Sequence, residues 1–306
     1  MPPIEIAIQE FLLASKANGL SAATITWYAA MLKPVAAKFS GLALDAITVN
    51  AMRQYVVDRR AAARSMETVR SHIRALRRFW TWAESEYDLD PKLNPMRKIA
   101  MPKKPQQLPK AISDDDLVAM FLATKDDVEG TRNRAILAFL TDTGCRSGGL
   151  RGLTLDRLDI QAGRALVLEK GERARFVPFK DLTAALLTQW LAVRPTKTDV
   201  VFCSLGSRYI GQPLTASGLH QMLERLALKA GVTGRFNAHS FRHGFAREFL
   251  LKGGDTGLLS RLMGHSSVNV TIQSYGVFEF NALLKVHSQF SPISTLEEVI
   301  RNAKNQ

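Results

Sequence analysis

His239-Ser240-Phe241-Arg242-His243, Gly264-His265-Ser266-Ser267 and Ser274-Tyr275-Gly276 follow one another toward the end of the chain, setting imidazoles and a guanidinium ahead of a phenol. Working outward from them, Lys170 stands in Lys170-Gly171-Glu172-Arg173-Ala174-Arg175-Phe176-Val177-Pro178, and Arg146 closes Thr143-Gly144-Cys145-Arg146. Each motif is weak alone, because a His-x-x-Arg occurs by chance in many helices and a tyrosine after a serine is usually packing. Five in this order over about 130 residues are hard to produce by accident.

The residue types suit one chemistry. Cutting a phosphodiester without a metal requires positive charge on the non-bridging oxygens, a nucleophile, and a proton donor for the departing sugar oxygen. Guanidinium groups grip two oxygens through paired hydrogen bonds and stay charged at any working pH, so Arg146 and Arg242 suit a phosphate clamp better than lysine would. A phenol is mostly protonated at neutral pH, so Tyr275 needs help, and nearby cations are expected to lower its pKa. His239, three residues before Arg242, is the candidate to take or share that proton, and His265 to donate a hydrogen bond to the phosphate. His72, His220, His243 and His287 lie in no matching context and are read as packing or surface residues.

In these motifs the chain resembles the tyrosine recombinase (phage integrase) family. The resemblance covers nearly the whole chain, since the segment before residue 100 is similar to that family's helical core-binding domain. It implies a mainly α (α+β) fold, with an N-terminal helical bundle and a mostly helical catalytic domain holding a small antiparallel sheet. It also implies roles: Arg146 and Arg242 hold the phosphate, Tyr275 keeps the 3′ phosphate as a covalent ester, and Lys170 protonates the leaving 5′ oxygen. Because the ester conserves the phosphodiester energy, a second 5′ hydroxyl can reverse the attack and rejoin strands without ATP. The implied activity is site-specific DNA recombination (integration, excision or resolution), with no cofactor and no metal. The implied partners are double-stranded DNA, a homotetramer on two DNA sites, and accessory DNA-bending proteins.

The stretch Met101-Pro102-Lys103-Lys104-Pro105-Gln106-Gln107-Leu108-Pro109-Lys110 carries three prolines and three lysines between helix-patterned regions, as an exposed linker would. The expected domains are therefore 1–101 for the helical DNA-binding bundle, 102–111 for the linker and 112–306 for the catalytic part. In the first, helices are expected over Ile4–Ala17, after Ser21, over Thr48–Ala62 and after Ser65. No further module is expected ahead of them, a layout that resembles Xer-type recombinases and simple mobile-element integrases. Beyond the linker, Ser113 is expected to cap a helix whose first turn holds Asp114, Asp115 and Asp116, a reading preferred over a metal site. A helix is expected over Arg132–Leu140, with Arg146 starting the next. A hairpin of Ala165–Leu168 and Arg175–Phe179 has Lys170 near its tip. Thr215, Ser240 and Asp255 open further helices, and Tyr275 lies in a loop. After Pro292 a last amphipathic helix is expected, docking on a neighbouring subunit as the family's does, or covering its own domain.

Between Arg59 and Arg78 there are seven arginines and one acid, Glu67. A solvated helix face held by ion pairs is the competing reading, and the shortage of acids argues against it. Arg59, Arg60, Arg64, Arg70, Arg74, Arg77 and Arg78, with Lys103 and Lys104 in the linker, are the expected DNA contacts. Such arginines bridge phosphates or reach guanine edges, and only the second contact reads sequence.

Composition points the same way. The 306 residues allow two domains of ordinary size, and 41 Lys and Arg against 28 Asp and Glu give a net charge of +13, which favours a polyanionic partner. No apolar run approaches the ~20 residues of a membrane span, and no cationic leader opens the chain. Two cysteines, Cys145 and Cys203, form neither a zinc set nor a disulfide framework. A cytoplasmic, nucleoid-associated protein with no membrane partner is the reading.

Two departures from the family stand out. Three positions after its first arginine the family usually carries an acid, and here Gly149 stands there, within Ser147-Gly148-Gly149. That loss is the one feature favouring a catalytically silent DNA-binding relative; a type IB topoisomerase using similar chemistry is the other alternative. The spacing from His265 to Tyr275 is also one residue longer than the family's commonest. Tyr209, ahead of the His239 motif, is a poor rival nucleophile.

Overall fold

Side-chain caps set where the first helices begin. In α1 (Ile4–Ala17), α2 (Ala22–Lys38), α3 (Val49–Ala62) and α4 (Met66–Glu86), all but the first open on a hydroxyl. Ser21 accepts from the Thr24 amide, Thr48 from Ala51 and Ser65 from Thr68, each satisfying one of the free amides at a helix start. The computed structural model describes residues 1–63, 65–103, 110–169, 173–194, 198–265, 267–275 and His287. The chain forms two compact units, Met1–Gln106 and Gln107–Gln306.

The first unit is a helical bundle. Its longest helix, α4, turns Val69, Ile73, Leu76, Phe79, Trp80 and Ala83 inward, where they meet Ile4, Ala7 and Phe11 of α1 and Leu32 and Val35 of α2. Each large side chain so buried contributes about 1.5–3 kcal/mol. Phe11 sits edge-on to Tyr28 and Phe79 at 5.1 and 5.7 Å.

The second unit is built on α6 (Val128–Thr143), whose Ala135, Ile136, Leu137, Phe139 and Leu140 are all buried. It begins at Val128 rather than at Arg132 because Asp127 caps it, accepting from the Gly130 amide at 2.7 Å. Ahead of it, α5 (Asp114–Leu122) starts on Ser113, whose hydroxyl accepts from Asp116 at 3.1 Å; its three acids occupy the first turn, where the helix dipole favours them. After α7 (Ser147–Arg151) comes an antiparallel sheet ordered β1 (Leu158–Asp159), β2 (Arg164–Glu169), β3 (Arg173–Pro178). Val167 and Val177 are buried beneath it. The two-residue β1 is too short to show a period in sequence, whereas β2 and β3 pair as a hairpin in which Leu166 faces Phe176.

Helices α8 (Asp181–Val193), α9 (Ala216–Lys229), α10 (Ala238–Leu251), α11 (Thr256–Met263) and α12 (Val268–Tyr275) complete the unit. Thr215 and Asp255 cap α9 and α11 as expected. The cap of α10 is Asn237, three residues before Ser240, and it accepts from both His239 and Ser240 amides. Tyr275 is the last residue of α12 rather than part of a loop. The architecture is the expected one, mainly helical with a small antiparallel sheet. Arg64, Lys104, Lys170 and the segment after Pro292 lie outside the described residues.

Candidate active site

Gly144 ends α6 in the left-handed region, at φ 55°. A Cβ there would stand 2.6 Å from the Phe245 ring, so both the backbone and the space demand glycine. The turn launches Arg146 at the N-cap of α7, and its carbonyl accepts a 2.8 Å hydrogen bond from Nη1 of Arg242 on α10. Arg242 is thereby fastened to the turn that positions Arg146.

Three successive carbonyls at the end of α11 and the residue after it complete the arrangement. Leu262 accepts from Nη1 of Arg175, Met263 from Nη2 of Arg242, and Gly264 from Nη2 of Arg146 at 3.3 Å. A helix C-terminus has unpaired carbonyls and the negative end of the macrodipole, so three guanidiniums gather without a carboxylate among these contacts. Gly149 fits this: a Cβ on it would approach Val167 Cβ to 3.2 Å, so the position is packed against β2. A side chain at this position would require Val167 to shift by a few tenths of an ångström, while the carbonyls at the end of α11 meet the guanidiniums.

Burial, and then the positive charges of Arg146 and Arg175 beside it, lowers the Arg242 pKa to about 10, which leaves the group charged at neutral pH. Arg242 is 2% exposed. Burial also lowers Arg146 and Arg175, the first with help from its neighbour Arg175.

Tyr275 is 6% exposed, packed with Ala246, Leu250, Leu259 and Met263. Its hydroxyl lies 2.7 Å from Nδ1 of His243. The His265 ring stacks nearly parallel to the phenol, 6.5 Å between centroids, and is fixed by a 2.7 Å hydrogen bond between Nδ1 and Oγ1 of the buried Thr271. That bond joins the residue ahead of α12 to the helix itself. His239 meets the edge of His243 at 4.2 Å between centroids. The expected lowering of the phenol pKa is reversed: Arg242 and Arg146 do pull it down, but burial outweighs them and the net shift is upward.

The imidazoles are held neutral. His265 falls to about 4 through burial and then Arg242, Arg146 and Arg175, and His243 to about 4 through burial and then His239, Arg242 and His265. His239, more open, is lowered by the same causes: loss of hydration first, then Arg242 and Arg146.

Arg146, His239, Arg242, His265 and Tyr275 thus converge, while Lys170 lies outside the described residues. Sequence reading passed over three groups. His243 is four residues after His239 and so on the same helix face, a signal that was available. Arg175 shares its strand face with the buried Val177 on β3, and a charge on an inward strand face needs partners. Thr271 carried no signal, because its contact to His265 is purely tertiary.

The basic run of the first unit is more engaged than expected. Glu67 pairs with both Arg70 and Arg74, at 3.5 and 2.9 Å. Arg77 donates to the Ile99 carbonyl at 2.6 Å and Arg70 to that of Pro102, so α4 fastens the chain that leaves the bundle. Arg59 contacts the buried His72 at 3.2 Å. Arg60, Arg74, Arg78 and Lys103 are exposed. Among the described residues no cluster of metal-binding side chains occurs, and no helix is long and apolar enough to cross a membrane.

The profile of the Phage integrase family matches residues 110–279, and that of the Phage integrase, N-terminal SAM-like domain matches residues 8–87. Tyrosine recombinase XerC of Escherichia coli (strain K12 / DH10B) is 28% identical over 247 residues, 80% of each chain. A crystal structure of XerA recombinase is similar at 26% identity and TM-score 0.53, covering 94% of this chain and 99% of that one. The Tn1549 transposon integrase in complex with transposon right end DNA shares the fold at 16% identity and TM-score 0.75, covering 93% and 99%.

Proposed function

The chain belongs to the phage integrase family, and from that premise we propose that it is a site-specific DNA recombinase acting through a 3′-phosphotyrosyl intermediate. The observation that carries the reading is the convergence of a buried phenol, Tyr275, with Arg146, Arg242 and two neutral imidazoles. A phosphodiester laid against the two guanidiniums gains charge-assisted hydrogen bonds that strengthen as negative charge builds on phosphorus. Tyr275 Oη attacks, the O5′–P bond breaks, and Lys170 supplies the proton that the 5′ oxygen takes up. His265, neutral and fixed by Thr271, donates to a non-bridging oxygen, and His239 shares in moving the tyrosine proton through the ring of His243. Rejoining is the same step in reverse, so neither metal nor ATP is needed.

The bundle, with residues 1–101, serves as the core DNA-binding domain, residues 102–111 as linker and residues 112–306 as the catalytic domain. The exposed Arg60, Arg74, Arg78 and Lys103 contact the DNA backbone, and Arg59, Arg64, Arg70, Arg77 and Lys104 are the further residues assigned to DNA contact. A net charge of +13 supports a polyanionic partner. Four protomers on two DNA sites, with accessory DNA-bending proteins, act in the cytoplasm on the nucleoid.

The test is to express the wild type and Tyr275→Phe in bacterial cells, recover DNA that survives denaturing purification with the protein, and sequence it. Adducts at one or a few inverted-repeat sites in the wild type alone are expected. Scattered adducts would make the protein a topoisomerase, and DNA retained only under native conditions would make it a silent binder.

A further inference from the structure

The hydrogen bond to Tyr275 comes from a residue that the family motif does not single out. Tyr275 Oη is buried, and a buried hydroxyl needs an acceptor for its proton. Around it stand Arg146 and Arg242, which only donate, and His265, whose Nδ1 is engaged by Thr271. His243 Nδ1, at 2.7 Å, is the acceptor within reach. We propose that His243 is the catalytic base of this site: its Nδ1 accepts the Tyr275 proton and aims the phenol oxygen at phosphorus.

This rests on the recombinase reading and deepens it. As Oη forms its bond to phosphorus, the O–H bond breaks and the proton passes to Nδ1; the O5′–P bond breaks in the same displacement, and the 5′ oxygen takes its proton from Lys170. In the return step the 5′ hydroxyl attacks phosphorus and gives its proton back to the Lys170 amine, the Oη–P bond breaks, and the imidazolium returns its proton to Oη. No oxidant, metal or further reactant enters.

The surroundings make His243 an acceptor rather than a cation. Among the described residues, the charged or titratable groups facing it are His239 and Arg242 on its own helix, His265 ahead of α12, and Tyr275 at the end of α12. None is a carboxylate, and the position where the family's acid would stand is Gly149. A neutral imidazole is therefore ready at rest, and the phenol stays protonated until a phosphate arrives. Edge-on packing of His239 against His243 fixes the ring; His239 is then a positioning residue for the proton transfer, one ring removed from the reacting atom.

The experiment compares wild type, His243→Phe, His243→Gly and Lys170→Ala on nicked duplexes carrying the site recovered from wild-type adducts, with an ordinary or a 5′-bridging phosphorothiolate scissile bond. His243→Phe is expected to slow adduct formation by about 100-fold at pH 7, with unchanged DNA retention. The deficit should persist on the phosphorothiolate, which rescues Lys170→Ala, and should shrink as pH rises and the phenol ionises unaided. Added imidazole should restore His243→Gly. Wild-type rates in His243→Phe, or a loss that neither pH nor imidazole alters, would overturn the proposal while leaving the recombinase reading intact. Absence of any adduct in the wild type would overturn that reading, and this one with it.

Discussion

At the scale of the single residue, Arg242 is the side chain on which the second unit's site turns. Its two terminal nitrogens are committed to the carbonyls of Gly144 and Met263, so the guanidinium is both a charge for phosphate and a tie between two loops. Lysine can keep the charge but cannot span both carbonyls with a planar fork. Arg242→Lys is expected to lower adduct formation by about 10²-fold or more, while Arg242→Ala should in addition cost roughly 2–4 kcal/mol in urea denaturation by stranding two buried acceptors. A lysine variant with wild-type cleavage would show that charge alone suffices. The attraction of this residue to phosphate chemistry was legible in His239-x-x-Arg242, because type and spacing carry it. Its partners were not: backbone carbonyls have no sequence signature, and the chain had to fold before α11 could present three of them. The direction of the Tyr275 pKa was misjudged for a similar reason, since cations could be counted in the sequence and burial could not.

Among the elements, α7 is the one whose sequence and structure pull hardest against each other. It is five residues long and holds two adjacent glycines, which a helix interior disfavours by about 1 kcal/mol each. The two differ in surroundings: a Cβ on Gly148 meets nothing within 4 Å, whereas on Gly149 it presses on Val167. Gly148→Ala is therefore expected to stabilise the second unit by about 0.5–1 kcal/mol. Gly149→Glu should destabilise it by roughly 2–3 kcal/mol, because the carboxylate would be driven against the buried face of β2. Equal midpoints for the two variants in urea denaturation would refute the packing argument. Elsewhere the elements were readable where a side chain enforces the boundary: Ser21, Ser65, Ser113, Thr215 and Asp255 cap as expected, and Thr48, expected as the first helical residue, is the cap of α3. They were unreadable where a tertiary contact does. Helix α12, eight residues rich in β-branched side chains, is held by the bond between Thr271 and His265 rather than by its own propensity.

For the whole molecule the consequence is a shared dependence on neutral imidazoles. His72 in the first unit is buried and lowered, first by burial and then by Arg59, against the hydrogen bond its Nδ1 donates to the Met31 carbonyl; His243 and His265 in the second fall to about 4. In the unfolded chain each has a pKa of about 6.5. Between about 4 and 6.5 the unfolded state therefore binds more protons than the folded one, and stability rises with pH across that window. Above it the histidines are neutral in both states and the contribution is flat. Acidification from pH 7 to pH 5 should thus weaken both units, His243 and His265 by about 1 kcal/mol each after allowance for partial exposure and His72 in the same direction. Glu84, lowered by Arg97, acts only below the ordinary carboxylate range and leaves the window between pH 5 and 7 to the histidines. Urea denaturation of His72→Gln and of His243→Phe across that window separates the two units: each variant should flatten the pH dependence of its own unit and leave the other's slope unchanged. Parallel slopes in wild type and variants would place the acid sensitivity in other groups and remove the argument that these imidazoles are kept neutral by the fold.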